Sequence, residues 1–154
     1  MVSDPAQALG TVRGGLDERM GIEFLETTAE RVVARMPVAG NTQAYGALHG
    51  GASCVLAETI GSCAAALHAG PGRMALGIEI SATHHRLADS GHVTGVATRA
   101  HAGRTFATYE VVISDDHDRR VCTARVTSAL RDLFTSWDDL ITGPARQAVR
   151  TILA

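Results

Sequence analysis

The chain has 154 residues, 45% of them hydrophobic, with a formal net charge of −2 and a sequence pI of about 6.4. This is enough for one domain whose core needs neither disulfides nor metal, and the near-neutral balance gives no electrostatic footprint for nucleic acid or an anionic membrane surface. All 14 basic residues are arginine, which excludes lysine Schiff-base or lysine-base chemistry and leaves guanidinium forks for phosphate or carboxylate groups.

Residues 1–20 are polar and Gly-rich, an N-terminal arm with one short amphipathic turn at Leu16 to Met20. GIEFLE from Gly21 and the following ERVVARMPV have β-rich composition and predict two strands, the second ended by Pro37. AGNTQAYG is a loop by its Gly and Asn content and delivers the chain to His49-Gly50-Gly51. From Ala52 onward, Val55, Leu56, Thr59, Ile60, Cys63, Ala64 and Leu67 continue an i, i+3, i+4 pattern that predicts a helix of about five turns. Its other faces carry Ala, Gly and Ser, so it is expected to be enclosed by a sheet, and Ala69-Gly70-Pro71-Gly72 stops it. Within it stands Glu58, the sole formal charge between Arg35 and Arg73. A buried unpaired carboxylate is costly, so this position calls for a partner, a proton or a chemical role.

The period then changes to two. Leu76, Ile78 and Ile80 alternate with Gly77, Glu79 and Ser81, and further strands are predicted at about His92 to His101, Arg104 to Ser114 and Arg120 to Arg131. Short turn clusters join these four strands, which predicts an antiparallel meander and an α+β fold with one long helix on a single sheet. Residues 21–131 form this domain, and 132–154 a helical extension in which Ala145, Ala148, Val149, Ile152 and Leu153 share one face after Gly143-Pro144. That face needs a partner surface.

Cys54, Cys63 and Cys122 are odd in number, match no zinc spacing and read as reduced core residues. Adjacent His84 and His85 point to opposite faces of a strand, which argues against a two-histidine metal site. No signal-peptide pattern and no uninterrupted membrane-length apolar run stand out, so a cytoplasmic location is expected. GPGRMA at Gly70 to Ala75 follows a helix and enters a strand, the reverse of a dinucleotide-binding turn, and GASCV around Ser53 lacks the second glycine of a nucleophile elbow.

The loop glutamine Gln43, the His-Gly-Gly helix entry, Leu56-Ala57-Glu58, the strand GIEISATHHR and HAGRT at His101 to Thr105 together resemble the hotdog-fold acyl-CoA thioesterases. The resemblance covers about Gly21 to Arg131 and is to the branch of the 4-hydroxybenzoyl-CoA and 1,4-dihydroxy-2-naphthoyl-CoA thioesterases. It implies a hotdog fold, a long central helix wrapped by an antiparallel sheet, and hydrolysis of an aromatic or hydroxyaromatic acyl-CoA without metal or other cofactor. It implies that Glu58 is the catalytic carboxylate, as nucleophile or general base, and that the Gly50 backbone N–H polarises the thioester carbonyl. Gln43 and His49 match polar groups near the thioester, and Ser62 a hydroxyl that holds water or the carboxylate. The glutamate and the glutamine loop usually come from opposite subunits in this family, which implies a homodimer, commonly paired again into a homotetramer.

Physical chemistry agrees with these roles. A helix N-terminus with free N–H groups suits a developing oxyanion, one such donor being worth about 3 kcal/mol. Ser62, four residues after Glu58, shares its helical face. For coenzyme A, the candidates are Arg86 and Arg104, flanked by His84 and His101, with Gly103 and Thr105 in the same HAGRT motif. Taken singly, Glu58 fits an interface carboxylate, His49 a helix-entry residue, Gln43 a loop residue, Ser62 a small packing residue and the arginines solvated strand ends. The alternatives are a non-catalytic acyl-CoA binding or regulatory module and a thioesterase acting on a carrier-protein thioester. A hotdog dehydratase is disfavoured because its His/Asp or His/Glu pattern is not evident.

Overall fold

Six antiparallel strands lie in the order β1-β2-β4-β5-β6-β3 and curve around one long helix in the computed structural model, which describes residues 14–132. In chain order the elements are α1 (Gly15–Met20), β1 (Glu23–Thr27), β2 (Arg31–Pro37), α2 (Gly50–Ala69), β3 (Arg73–His84), β4 (His92–Ala102), β5 (Phe106–Asp115) and β6 (Arg120–Asp132). The extension expected from 132 to 154, including its apolar stripe, lies outside the described residues apart from Asp132.

The turn expected at Leu16 to Met20 is the short helix α1. It begins where Asp17 accepts a 3.1 Å hydrogen bond from the Gly14 N–H and ends at Gly21, whose φ of 69° suits a residue without a side chain. Thr59 of α2 donates to Asp17 at 2.8 Å, so the part of the arm next to the domain is tied to the central helix. β1 and β2 pair with Glu23 opposite Arg35, and the two side chains bond at 2.8 Å across the strands.

Helix α2 has its apolar character because it is the inner layer. Leu56, Ala57, Ile60, Ala64 and Ala65 are fully buried against β2 through β6. By length and composition alone this helix is apolar enough to cross a membrane, yet the sheet occupies that face. Glycines set how close the layers come. A β-carbon on Gly61 would stand 2.9 Å from Val126 Cβ, and one on Gly95 of β4 2.9 Å from Ile60 Cδ1. Tyr109 of β5 ties the layers, its single hydroxyl hydrogen shared between the Ala29 carbonyl at 2.6 Å and the Ala64 carbonyl at 3.1 Å; burial pushes that phenol up to about 12.

Three expectations are corrected. The helix is covered on one side only: Ala52, Leu56, Ile60 and Ala64 of the expected stripe are buried, Val55, Thr59, Cys63 and Leu67 are half-buried, and the buried face extends instead through Ser53, Ala57, Gly61 and Ala65. Small residues let the sheet approach that face most closely, and an apolar count ranks them low. The four later strands are likewise not one meander. Only β4, β5 and β6 are, while β3 pairs with β6 and forms an edge of the sheet. Residues 85–91 carry the chain back into the middle, with the His85 N–H on the Val121 carbonyl, the Leu48 N–H on the Ala88 carbonyl and the Val38 N–H on the Gly91 carbonyl. The alternation in β3 also breaks, because a bulge between Gly77 and Glu79 leaves Leu76 and Ile78 50% and 56% exposed.

Candidate active site

The site begins at the entry to α2. His49 is the N-cap, with extended backbone, and its Nδ1 accepts the Gly51 N–H at 2.8 Å, so a neutral His49 carries its proton on Nε2. The Gly50 N–H is left with no acceptor among the described residues. It opens the positive end of a 20-residue helix. Its approach is narrow: a β-carbon on Gly50 would lie 2.8 Å from His84 Nε2. His84, assigned from sequence to the coenzyme A end, thus stands beside the expected carbonyl-binding amide.

Gln43 sits in a tight loop before this entry. Its N–H donates to the Ala47 carbonyl at 2.8 Å, its carbonyl accepts the Gly46 N–H at 3.0 Å, and its side-chain oxygen accepts the Tyr45 N–H. The side-chain NH₂ is therefore the part of Gln43 left to donate outward. Asn41 anchors the loop, its amide bridging the carbonyls of Met20 and Pro37 at 2.8 and 2.9 Å while its own carbonyl accepts the His49 N–H at 2.9 Å.

Glu58 lies farther along α2. It is exposed in the single chain and has no hydrogen bond or ion pair among the described residues, so the expected burial is not a property of one chain. Its carboxylate rests over Gly77, where a β-carbon would come within 2.7 Å of Oε1. Ser62 follows one turn later and is half-buried. Glu58 is eight residues from Gly50, a rise of about 12 Å, more than a glutamate side chain spans. With the carboxylate seated on Gly77 and the amide beside His84, seven residues further along β3, the two groups of one chain are not directed at a single carbonyl.

His101, Gly103, Arg104 and Thr105 gather at the other end of the helix. The His101 ring folds over Gly103, with Nε2 3.1 Å from where its β-carbon would be. Three successive carbonyls are held: Gly103 O lies 3.0 Å from His68 Nε2, Arg104 O accepts from Arg73 at 2.7 Å and Thr105 O from the Leu130 N–H at 2.8 Å. The turn is thus fixed while the Arg104 and Thr105 residues are exposed. On β6, His84 faces Cys122 and Phe106 faces Ala129, so His84 and Arg86 are separated from the HAGRT turn by about 23 Å of strand. Within one chain the expected coenzyme A residues form two groups, not one.

Among the described residues no cluster of His, Cys, Asp and Glu could hold a metal. His85 turns to the Thr123 hydroxyl at 3.0 Å, apart from His84. Burial, with Asp17 adding to it, pushes the Cys63 thiol up to about 11, and burial also raises Cys122, as suits inert core thiols. Sequence reasoning missed Asn41 and Gly77. The first has no signal beyond a loop asparagine; the second had one, since a glycine inside an alternating strand marks a bulge or a close approach.

Residues 45–122 match the model of the thioesterase superfamily, and the chain belongs to that family: it is a hotdog-fold thioester hydrolase. The chain is 45% identical over 118 residues to the proofreading thioesterase EntH of Cronobacter turicensis, which spans 76% of this chain and 86% of that relative. Among solved structures, a Haemophilus influenzae thioesterase superposes with a TM-score of 0.77 at 31% identity, over 89% of this chain and 94% of that one. A mutant Pseudomonas aeruginosa thioesterase does so with 0.78 at 36% identity, over 86% and 97%.

Proposed function

We propose that the chain hydrolyses an aromatic or hydroxyaromatic acyl-CoA to the free acid and coenzyme A, at a site shared between two copies. The observation that carries this reading is the pairing of an open Gly50 N–H at a helix entry with an unpaired Glu58 carboxylate on the same helix, not directed at the same carbonyl within one chain. A second copy that brings its own Glu58 to the first copy's Gly50 completes the site. The exposed edge of β3, with Leu76 and Ile78 outward, offers a place for strand pairing with that copy.

The thioester oxygen accepts the Gly50 N–H and the Gln43 side-chain N–H of one copy. Glu58 of the other either attacks the carbonyl carbon, giving an anhydride that water then hydrolyses to the free acid and the regenerated carboxylate, or takes a proton from a water that attacks the carbonyl carbon itself, with Ser62 orienting the carboxylate. The C–S bond breaks, and coenzyme A leaves as a thiolate that takes up a proton. The N–H donors act where the oxyanion forms, which is where such a donor contributes most. Arg86 and His84 beside this entry, and Arg104 and Thr105 from the far end of another copy, supply the phosphate handle.

Thiol release from benzoyl, hydroxybenzoyl, hydroxynaphthoyl, phenylacetyl and aliphatic CoA thioesters, with wild type beside Glu58→Ala, tests the substrate class. Fastest turnover on the hydroxyaromatic esters, lost in the variant, is expected; binding without release by wild type would favour the non-catalytic module. Mixing Gln43→Ala with Glu58→Ala protein and allowing subunits to exchange tests the shared site. Each mixed dimer regains one intact site, so about a quarter of wild-type activity returns. No return despite proven exchange contradicts the two-copy arrangement.

A further inference from the structure

Ser128 Oγ is the one buried side-chain polar atom that lacks a hydrogen-bond partner among the described residues, and the residue is 1% exposed. Such a group normally either finds a partner or is replaced by an apolar one, because an unmade hydrogen bond in a desolvated place costs more than the hydroxyl is worth to the fold. Its place in the sheet says which partner is within reach. Val126 packs on Gly61 of α2, and side chains alternate along a strand, so Val126, Ser128 and Leu130 all face the helix. Ser128 is paired with Gly77 on β3 and with Ala107 on β5, neither of which carries a polar side chain.

Directly paired residues share a face, so Ser128 emerges on the face of Gly77 over which the Glu58 carboxylate rests. Because Gly77 has no side chain, nothing of its own stands between the two groups. The β-carbon of Ser128 and the β-carbon position of Gly77 are one cross-strand spacing apart, about 5 Å. Val126 and Leu130, its neighbours on that face, are apolar. We infer that Ser128 is a positioning residue for Glu58, its hydroxyl donating a hydrogen bond to the carboxylate, directly or through the water that Glu58 activates, once a thioester fills the site. A neutral donor at this point fixes the carboxylate's direction without cancelling its charge. The inference rests on the role proposed above for Glu58.

Steady-state thiol release by Ser128→Ala, Ser128→Thr, Glu58→Gln and the Ser128→Ala/Glu58→Gln double variant tests it. Ser128→Ala is expected to lose about ten-fold in kcat with KM changed less than about two-fold, while its melting temperature stays or rises. Ser128→Thr keeps a hydroxyl on a strand-compatible residue and recovers most of kcat. In the Glu58→Gln background Ser128→Ala costs nothing further, because the two act as one unit. A kcat within two-fold of wild type, or the same loss whether or not Glu58 is present, overturns the inference and leaves the Glu58 reading intact. A fully active Glu58→Gln overturns both.

Discussion

Gly77→Ala separates stability from activity. The added β-carbon would lie 2.7 Å from Glu58 Oε1 and 3.7 Å from its Cδ, with the nearer contact about 0.7 Å short of the 3.4 Å at which ordinary contact begins. What must move is the exposed end of a flexible side chain. Gly77 also has no left-handed backbone that an alanine would strain. Folding should therefore be unharmed, and the loss of glycine's chain entropy favours the variant by about 0.5–1 kcal/mol. Catalysis should suffer, because misplacing a reacting group by about 1 Å costs on the order of 100-fold, and a shift of this size gives about 10- to 100-fold. Thermal unfolding, size-exclusion chromatography and thiol release on the preferred ester provide the assay. Unchanged kcat/KM in a folded, normally assembled Gly77→Ala protein would refute the placement of the working carboxylate over Gly77.

Gly61→Ala should do the reverse and lower the melting temperature. Its β-carbon meets Val126 Cβ at 2.9 Å, an atom next to the backbone that cannot swing aside, so overpacking of about 1–3 kcal/mol outweighs the gain of about 1 kcal/mol in helix propensity. Adding Val126→Ala to that variant removes the two Cγ contacts at 3.2 Å but keeps the Cβ contact, so the melting temperature of the double variant should not return to that of Val126→Ala alone. His49→Ala removes the N-cap acceptor and should cost about 1 kcal/mol in denaturant unfolding, whereas His49→Asn should restore most of it. At Asp115, burial raises the carboxyl, but the Arg119 guanidinium and the Arg119 and His117 N–H groups outweigh it and hold the group at about 2, from 3.8. A depressed carboxyl contributes stability above its unfolded value that is lost as pH falls through the folded one. Asp115→Asn should therefore flatten the stability curve between about pH 4 and 2, as urea midpoints across that range would show.

The strands and the long helix were legible because their periods are local. The β4–β5–β6 turns, the alternation of β5 and the stop at Gly70 need no knowledge of distant residues. What failed was what distant residues decide. The sequence cannot show that β3 crosses to the far edge beside β6, because the return through residues 85–91 is fixed by long-range backbone bonds to Leu48 and Val121. It placed the half of the buried face of α2 that runs through Ala52, Leu56, Ile60 and Ala64, but extended it toward Val55 and Cys63, because large apolar residues dominate a pattern, whereas the other half is made of Ser53, Ala57, Gly61 and Ala65. At the site, the motif around Glu58 was visible, but its exposure and its seat on Gly77 were not, since both depend on which strand lies beside the helix. The candidate coenzyme A residues were grouped by charge type, and the register of β6 separates them.

The most direct measurement is thiol release by Glu58→Gln, which keeps the side chain's shape and removes only its charge and basicity. With a hydroxyaromatic CoA thioester, binding of the substrate should persist while kcat falls by about 1,000-fold or more. A Glu58→Gln protein that turns over within ten-fold of wild type would contradict the assignment of the chemistry to this carboxylate.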